Sequence, residues 1–384
     1  MSDAASGSAL HPALHTRFCD LVGCRYPIVQ TGMGWVSGAS LTAATSCVGG
    51  FGILAAVTMT PDQLAESITA VKERTPNAFG VNLRADQPDL ADRIELCVRA
   101  GVRLVSFAGA PTKDAIGELH GAGVLVMPTV GARRHAEKML EWGADAVIAQ
   151  GGEGGGHTGA VPTSLLLPQV VDAVGAEIPV LAAGGFYDGR GLVAALAWGA
   201  DGVAMGTRFL LTRESRVPDA IKRRYLDAAV TDTVVTTAVD GAPQRVIRTQ
   251  TVDRLERASP LSRLPRALRA ALAFRRLTGT PLPDLVREGV AMRKNQGLSW
   301  SQVVMAATAP MLIKSALVDG KPEAGVLPTG QVTGVIEELP SVAELLERIA
   351  ADATATLERL QGPLPFPHPR TSEAMGSADR GARS

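Results

Sequence analysis

The residues best suited to chemistry sit in one stretch, Gln150-Gly151-Gly152-Glu153-Gly154-Gly155-Gly156-His157-Thr158-Gly159. An apolar run, Asp145-Ala146-Val147-Ile148-Ala149, leads straight into it. Glycines at that density let backbone approach a flat or charged ligand closely and reach positive φ without steric cost. An imidazole at the far lip of such a loop is suited to proton transfer near neutral pH. Taken alone, the loop also fits a plain flexible turn with a surface histidine. Glu153 reads as a solvated loop charge rather than a catalytic group.

Those groups need a scaffold, and the pattern from Pro27 to Phe209 supplies one. Short apolar runs alternate with helical stretches: Ile28-Val29-Gln30, Gly52-Ile53-Leu54-Ala55, Phe79-Gly80-Val81-Asn82, Leu104-Val105-Ser106-Phe107, Val124-Leu125-Val126-Met127, Ala146-Val147-Ile148-Ala149, Val180-Leu181-Ala182-Ala183 and Gly202-Val203-Ala204-Met205. They are too short for buried helices and lack the alternation of a half-exposed strand, which is how fully buried parallel strands read. Helix patterns fill the gaps, as in Thr60 to Arg74, with a cap and a first-turn proline, and His135 to Trp142. The sequence therefore predicts an α/β fold, a (β/α)8 TIM barrel, over residues 16–212. An open doubly wound sheet is the alternative. A mainly helical appendage on the substrate side is expected over 213–362, returning to the barrel. Residues 1–15 and 363–384 are too polar and small to order themselves.

A barrel requires its chemistry at the C-terminal ends of the strands. Strand one ends in Gln30-Thr31-Gly32-Met33-Gly34, strand three in Asn82 and strand six in Gln150 and the His157 loop. Strand seven ends in Gly184-Gly185 and strand eight in Gly206-Thr207. Loops after the last two strands commonly hold phosphate through backbone N–H groups and a helix start. Single glycines at strand–helix turns are often structural, but these all fall at one end.

Composition narrows the class. Lys+Arg and Asp+Glu are equal at 38 each, so nothing favours nucleic acid as partner. Cys19, Cys24, Cys47 and Cys97 show no metal-ligand spacing, and no metal is expected. No apolar run of membrane length or signal-peptide core is present, which predicts a cytoplasmic protein with no membrane partner.

Residues 26 to about 210 resemble the nitronate monooxygenase (2-nitropropane dioxygenase-like) family of FMN-dependent barrels, which includes the flavin-dependent enoyl-ACP reductases. The likeness rests on Gln30 to Gly34, Phe79 to Asn82, Gln150 to Gly159, Ala183-Gly184-Gly185 and Met205-Gly206-Thr207-Arg208-Phe209, with an echo in Pro328-Thr329-Gly330-Gln331-Val332-Thr333-Gly334. It implies FMN with its phosphate near Gly184, Gly185, Gly206 and Thr207. It places the isoalloxazine against Gly32, Met33 and Gly34, with Asn82 and Gln150 hydrogen-bonding the rings and Gly155 and Gly156 alongside. His157 matches the family's catalytic histidine. Within that group, Gln30 to Val36, the triple glycine before His157, and Val217 to Leu226 look like flavin-dependent oxidoreductases of steroid catabolism. Those act on the CoA thioester of a hydrindane, so ring dehydrogenation of such a thioester is the leading expectation. Nitronate oxidation with O2 and NAD(P)H-dependent enoyl-thioester reduction are alternatives. NAD(P)H as donor or NAD as acceptor, and a homodimer, complete the expectations.

From Arg213 to Lys294 there are 17 Lys+Arg against 9 Asp+Glu, an excess of eight positive charges in a neutral chain. Arg263, Arg266 and Arg269 lie near one helix face and could hold the phosphates of CoA. A solvated basic helix fits equally well. A barrel binding a phosphorylated ligand without flavin is the alternative of another class, although none of the lysines falls on the eight strands.

Overall fold

The computed structural model describes residues 10–257 and 300–362. Eight parallel strands close into a barrel: β1 (Ile28–Gln30), β2 (Phe51–Ala55), β3 (Gly80–Arg84), β4 (Leu104–Ala108), β5 (Leu125–Val130), β6 (Val147–Gln150), β8 (Val180–Ala183) and β9 (Gly202–Met205). The ring closes where β9 pairs with β1, Ile28 opposite Val203 and Gln30 opposite Met205. An open sheet is thereby ruled out. Every residue of β2, β8 and β9 is buried, so their uninterrupted apolar runs reflect strands covered on both faces.

Helices α1 (Arg17–Val22), α2 (Ala39–Cys47), α3 (Pro61–Lys72), α4 (Leu90–Arg99), α5 (Lys113–Gly121), α6 (Arg133–Glu141), α7 (Thr163–Val174), α8 (Gly189–Ala197) and α9 (Thr207–Leu210) follow in chain order. Local signals set their starts. Thr60 accepts from the Gln63 N–H while the Gln63 side chain accepts from the Thr60 N–H, a reciprocal cap with Pro61 in the first turn of α3.

The barrel's N-terminal end is plugged. Phe18 and Val22 of α1 join Val29, Phe51, Leu104 and Leu181 in one buried cluster. The Phe18 and Phe51 rings meet edge to face, 5.9 Å between centroids. The chain is ordered earlier than residue 16: Pro12–Leu14 form a 3₁₀ turn, and Leu14 is fully buried. The sequence pattern missed this because one leucine in a polar segment has no period to betray it.

After the barrel come α10 (Asp219–Leu226), the hairpin β10 (Thr233–Thr236) and β11 (Gln244–Ile247), α11 (Gln250–Arg257), α12 (Trp300–Leu317) and α13 (Val342–Gln361). Helix α13 starts on a reciprocal Ser341–Glu344 cap and packs along α8. The hairpin returns to the barrel rim. Its strand β11 pairs antiparallel with β7 (Gly156–His157), making a small sheet above the barrel. Among the described residues, no helix is long and apolar enough to cross a membrane.

Candidate active site

The C-terminal ends of the strands surround a cavity of about 610 Å³. Gly32, Met33 and Gly34 border it from the loop after β1, and Asn82 from β3. Gln150, Gly155, Gly156 and His157 border it after β6, Gly184 and Gly185 after β8, and Gly206 and Thr207 after β9. The structure thus brings together every cofactor-contact residue expected from sequence, and His157 with them. Arg263, Arg266 and Arg269 lie outside the described residues. Arg208 does not border this cavity. It is buried, donates to the Leu211 and Glu338 carbonyls, and is pulled down to about 10 by burial.

Backbone makes much of the wall. Gly184 and Gly185 both hold positive φ, 96° and 89°. Two such residues in succession require glycine, and with no side chain on either the backbone itself forms the cavity wall there. Gly32 sits so close to Asn82 that a Cβ there would fall 2.3 Å from the Asn82 Cβ. The Asn82 amide donates to the Ser106 hydroxyl at 2.9 Å, which fixes its orientation. Opposite, Ala309, Pro310, Ile313 and Leu317 of α12 give an apolar flank. Trp35, whose φ of 67° is the single positive value among described non-glycine residues, donates from its ring nitrogen to the Pro310 carbonyl at 3.2 Å.

The glycine loop is held from several sides. Gln150 donates to the His157 carbonyl at 2.7 Å, so its amide nitrogen fastens the loop to the end of β6. The Arg245 guanidinium of β11 donates to the Gly152 carbonyl at 2.9 Å. The Gln331 N–H donates to the Glu153 carbonyl, and the Gly330 N–H to the Thr207 hydroxyl at 2.9 Å. The 328–334 segment therefore ties the loop after β6 to the start of α9. Glu153, expected to be solvated, instead caps α7, accepting from the Thr163 N–H and hydroxyl at 3.0 and 2.8 Å.

His157 does not stand alone. Its Nε2 lies 2.6 Å from Oδ2 of Asp240, whose side chain is only 10% exposed. The other Asp240 oxygen accepts from the Ala242 N–H at 3.0 Å. Burial pushes the Asp240 carboxyl up, but the hydrogen bond and charge of His157, with Gln244 and the Ala242 N–H, outweigh it and hold the group below the usual carboxylate range. Sequence reasoning did not find Asp240. The available signal was a β-rich run, Thr233-Val234-Val235-Thr236, then an Asp240-Gly241 turn and a second run at Gln244.

The cavity suits FMN. A concavity of this size lined by backbone N–H groups, a short helix start and a few amide side chains can take a flat ring system and a phosphate. Among the described residues, no cluster of His, Cys, Asp and Glu could hold a metal.

Comparison with known proteins gives the same grouping. A protein of Mycobacterium tuberculosis, (3aS,4S,5R,7aS)-5-hydroxy-7a-methyl-1-oxo-octahydro-1H-indene-4-carboxyl-CoA dehydrogenase, is 57% identical over 346 residues, 90% of this chain and 98% of its own. A protein of the same name from Rhodococcus jostii is 53% identical over 347 residues, again 90% and 98%. The solved structure of FabK from Thermotoga maritima superposes with a TM-score of 0.73 at 34% identity, covering 90% of this chain and 98% of that one. A sequence model of the family described as nitronate monooxygenase matches residues 15–352, and the chain belongs to that family of oxidoreductases.

Proposed function

We propose that the protein is an FMN-dependent dehydrogenase of a hydrindane carboxyl-CoA thioester, introducing a ring double bond next to the thioester carbon. One observation carries this reading. Two relatives at 57% and 53% identity, each aligned over nine-tenths of this chain, bear the name of a dehydrogenase for one such thioester. The His157 cavity with its apolar α12 flank is consistent with a bicyclic acyl group.

Backbone N–H groups of Gly184, Gly185 and Gly206, with the Thr207 hydroxyl, would hold the FMN phosphate. Gly32, Met33 and Gly34 would lie against the rings, Gly155 and Gly156 on the opposite edge, with Asn82 and Gln150 hydrogen-bonding them. When bound, FMN supplies the acceptor for the electron pair that leaves the β-carbon with its hydrogen. His157 takes the α-proton, which the thioester carbonyl acidifies, so that the C–C double bond forms as both hydrogens depart. The apolar side chains of α12 exclude water from the acyl rings. Reoxidation by NAD, or operation in reverse with NAD(P)H, extends the same reading.

The test gives the purified enzyme two substrates, the hydrindane carboxyl-CoA thioester and an alkyl nitronate with O2. Desaturated thioester as product, with little oxygen uptake on nitronate, supports the proposal. Rapid oxygen uptake on nitronate with no change in the thioester overturns it in favour of nitronate oxidation.

A further inference from the structure

The hairpin that follows the barrel brings a buried carboxylate to the rim histidine, and we propose that Asp240 is a positioning residue that fixes His157 in the Nε2–H tautomer and leaves Nδ1 as the atom that takes the substrate proton. The inference rests on the role given to His157 above and goes one atom further.

An ionised carboxylate is an acceptor only. Asp240 is held ionised, because its environment keeps the carboxyl below its usual range. At 2.6 Å the His157 Nε2 must therefore carry a hydrogen and donate it, since two lone pairs at that separation repel. The Gln244 amide nitrogen lies 3.3 Å from the same Nε2. Both are donors, so they do not bond each other; they converge on the Asp240 carboxylate. Among the described residues, Nδ1 of His157 makes no hydrogen bond, and the side chain borders the cavity. The free lone pair of the ring is thus on Nδ1.

The arrangement is built rather than incidental. His157 lies directly opposite Gln244 in the β7–β11 pairing, and Gly156 opposite Arg245. The Asp240 carboxylate is aimed by its own turn through the Ala242 N–H. The Thr158 N–H donates to the Pro243 carbonyl at 3.1 Å, clamping the turn to the histidine loop. His157 itself is 66% exposed at its side chain, so without Asp240 nothing in its packing would choose a rotamer or a tautomer. A carboxylate that orients an imidazole and stabilises its charged form after proton uptake is a recognised device for sharpening a general base.

The experiment is ¹⁵N NMR of histidine-labelled protein with FMN bound, at a pH where the ring is neutral. His157→Gln identifies the signal among the six histidines. The expected result is a protonated Nε2 and an unprotonated Nδ1 in the wild type, and loss of that bias in Asp240→Asn. Turnover of the CoA thioester should fall on the order of 10²-fold in Asp240→Asn, mainly in kcat with KM little changed, and recover in part in Asp240→Glu. Protonation at Nδ1 in the wild type overturns the proposal even if no Asp240 variant folds. Wild-type turnover by Asp240→Asn while His157→Gln is inactive overturns this inference alone. Wild-type turnover by His157→Gln overturns both the inference and the role of His157 beneath it.

Discussion

The two ends of the barrel are made from the same eight strands and end in opposite ways. At the N-terminal floor, α1 drives Phe18 and Val22 into one buried cluster with Phe51 and Leu104. At the C-terminal rim, side chains give way to glycine backbone, and a cavity of about 610 Å³ opens between the loops. The floor gains stability from close packing of apolar volume. The rim gives up that gain for N–H groups and two amides that can meet a ligand. Its loops are then held by groups from outside the barrel, Arg245 on Gly152 and Gly330 on Thr207. Stability and chemistry are therefore separated along the barrel axis, and substitutions at the two ends should fail in different ways.

The largest effect is expected at the rim. His157→Gln should lower kcat roughly 10³-fold through loss of the base, while the lost Asp240 contact costs only about 1 kcal/mol of stability. At the floor, Phe18→Ala should cost about 3–5 kcal/mol of stability, read by denaturant melts, and leave the flavin spectrum of the folded protein unchanged. A floor variant that alters the spectrum, or a His157 variant that melts as early as the floor variant, would break the separation.

Gly32→Val sharpens the comparison from the rim side. The new Cβ would fall on the Asn82 Cβ at 2.3 Å, so the loop has to shift away from Asn82. FMN should bind the apoprotein at least about tenfold more weakly, ~1.4 kcal/mol, in a fluorescence titration. The smallest effect concerns acid. Asp240 has a depressed pKa in the fold, so its contribution to stability is present above its ordinary value of 3.8 and is lost as pH falls below it. Melting curves of the wild type and Asp240→Asn should differ at pH 6 and converge toward pH 3.

The barrel was legible because its strands are buried on both faces and so print themselves as short apolar runs. Their ends shift by one to a few residues, as where β5 continues to Val130, because register depends on the neighbouring strand. The rim glycines were legible for a similar reason: tolerance of close approach is a property of the residue itself. What the sequence hid were contacts made between distant elements. Asp240 reaches His157 across 83 positions through a hairpin whose pairing partner is a two-residue strand. Phe18 closes the floor from a six-residue helix too short to show a period. Glu153 was misjudged because its partner, Thr163, begins a helix whose N-cap position is Pro162, which has no side-chain oxygen to offer.

The most direct measurement is an anaerobic titration of the FMN-loaded enzyme with the hydrindane carboxyl-CoA thioester, following flavin absorbance in the wild type and in His157→Gln. The account predicts bleaching of the wild-type flavin by stoichiometric thioester, with desaturated product, and little or slow bleaching in the variant. Flavin bands untouched by the thioester in the wild type, or bleached equally fast without His157, would contradict it.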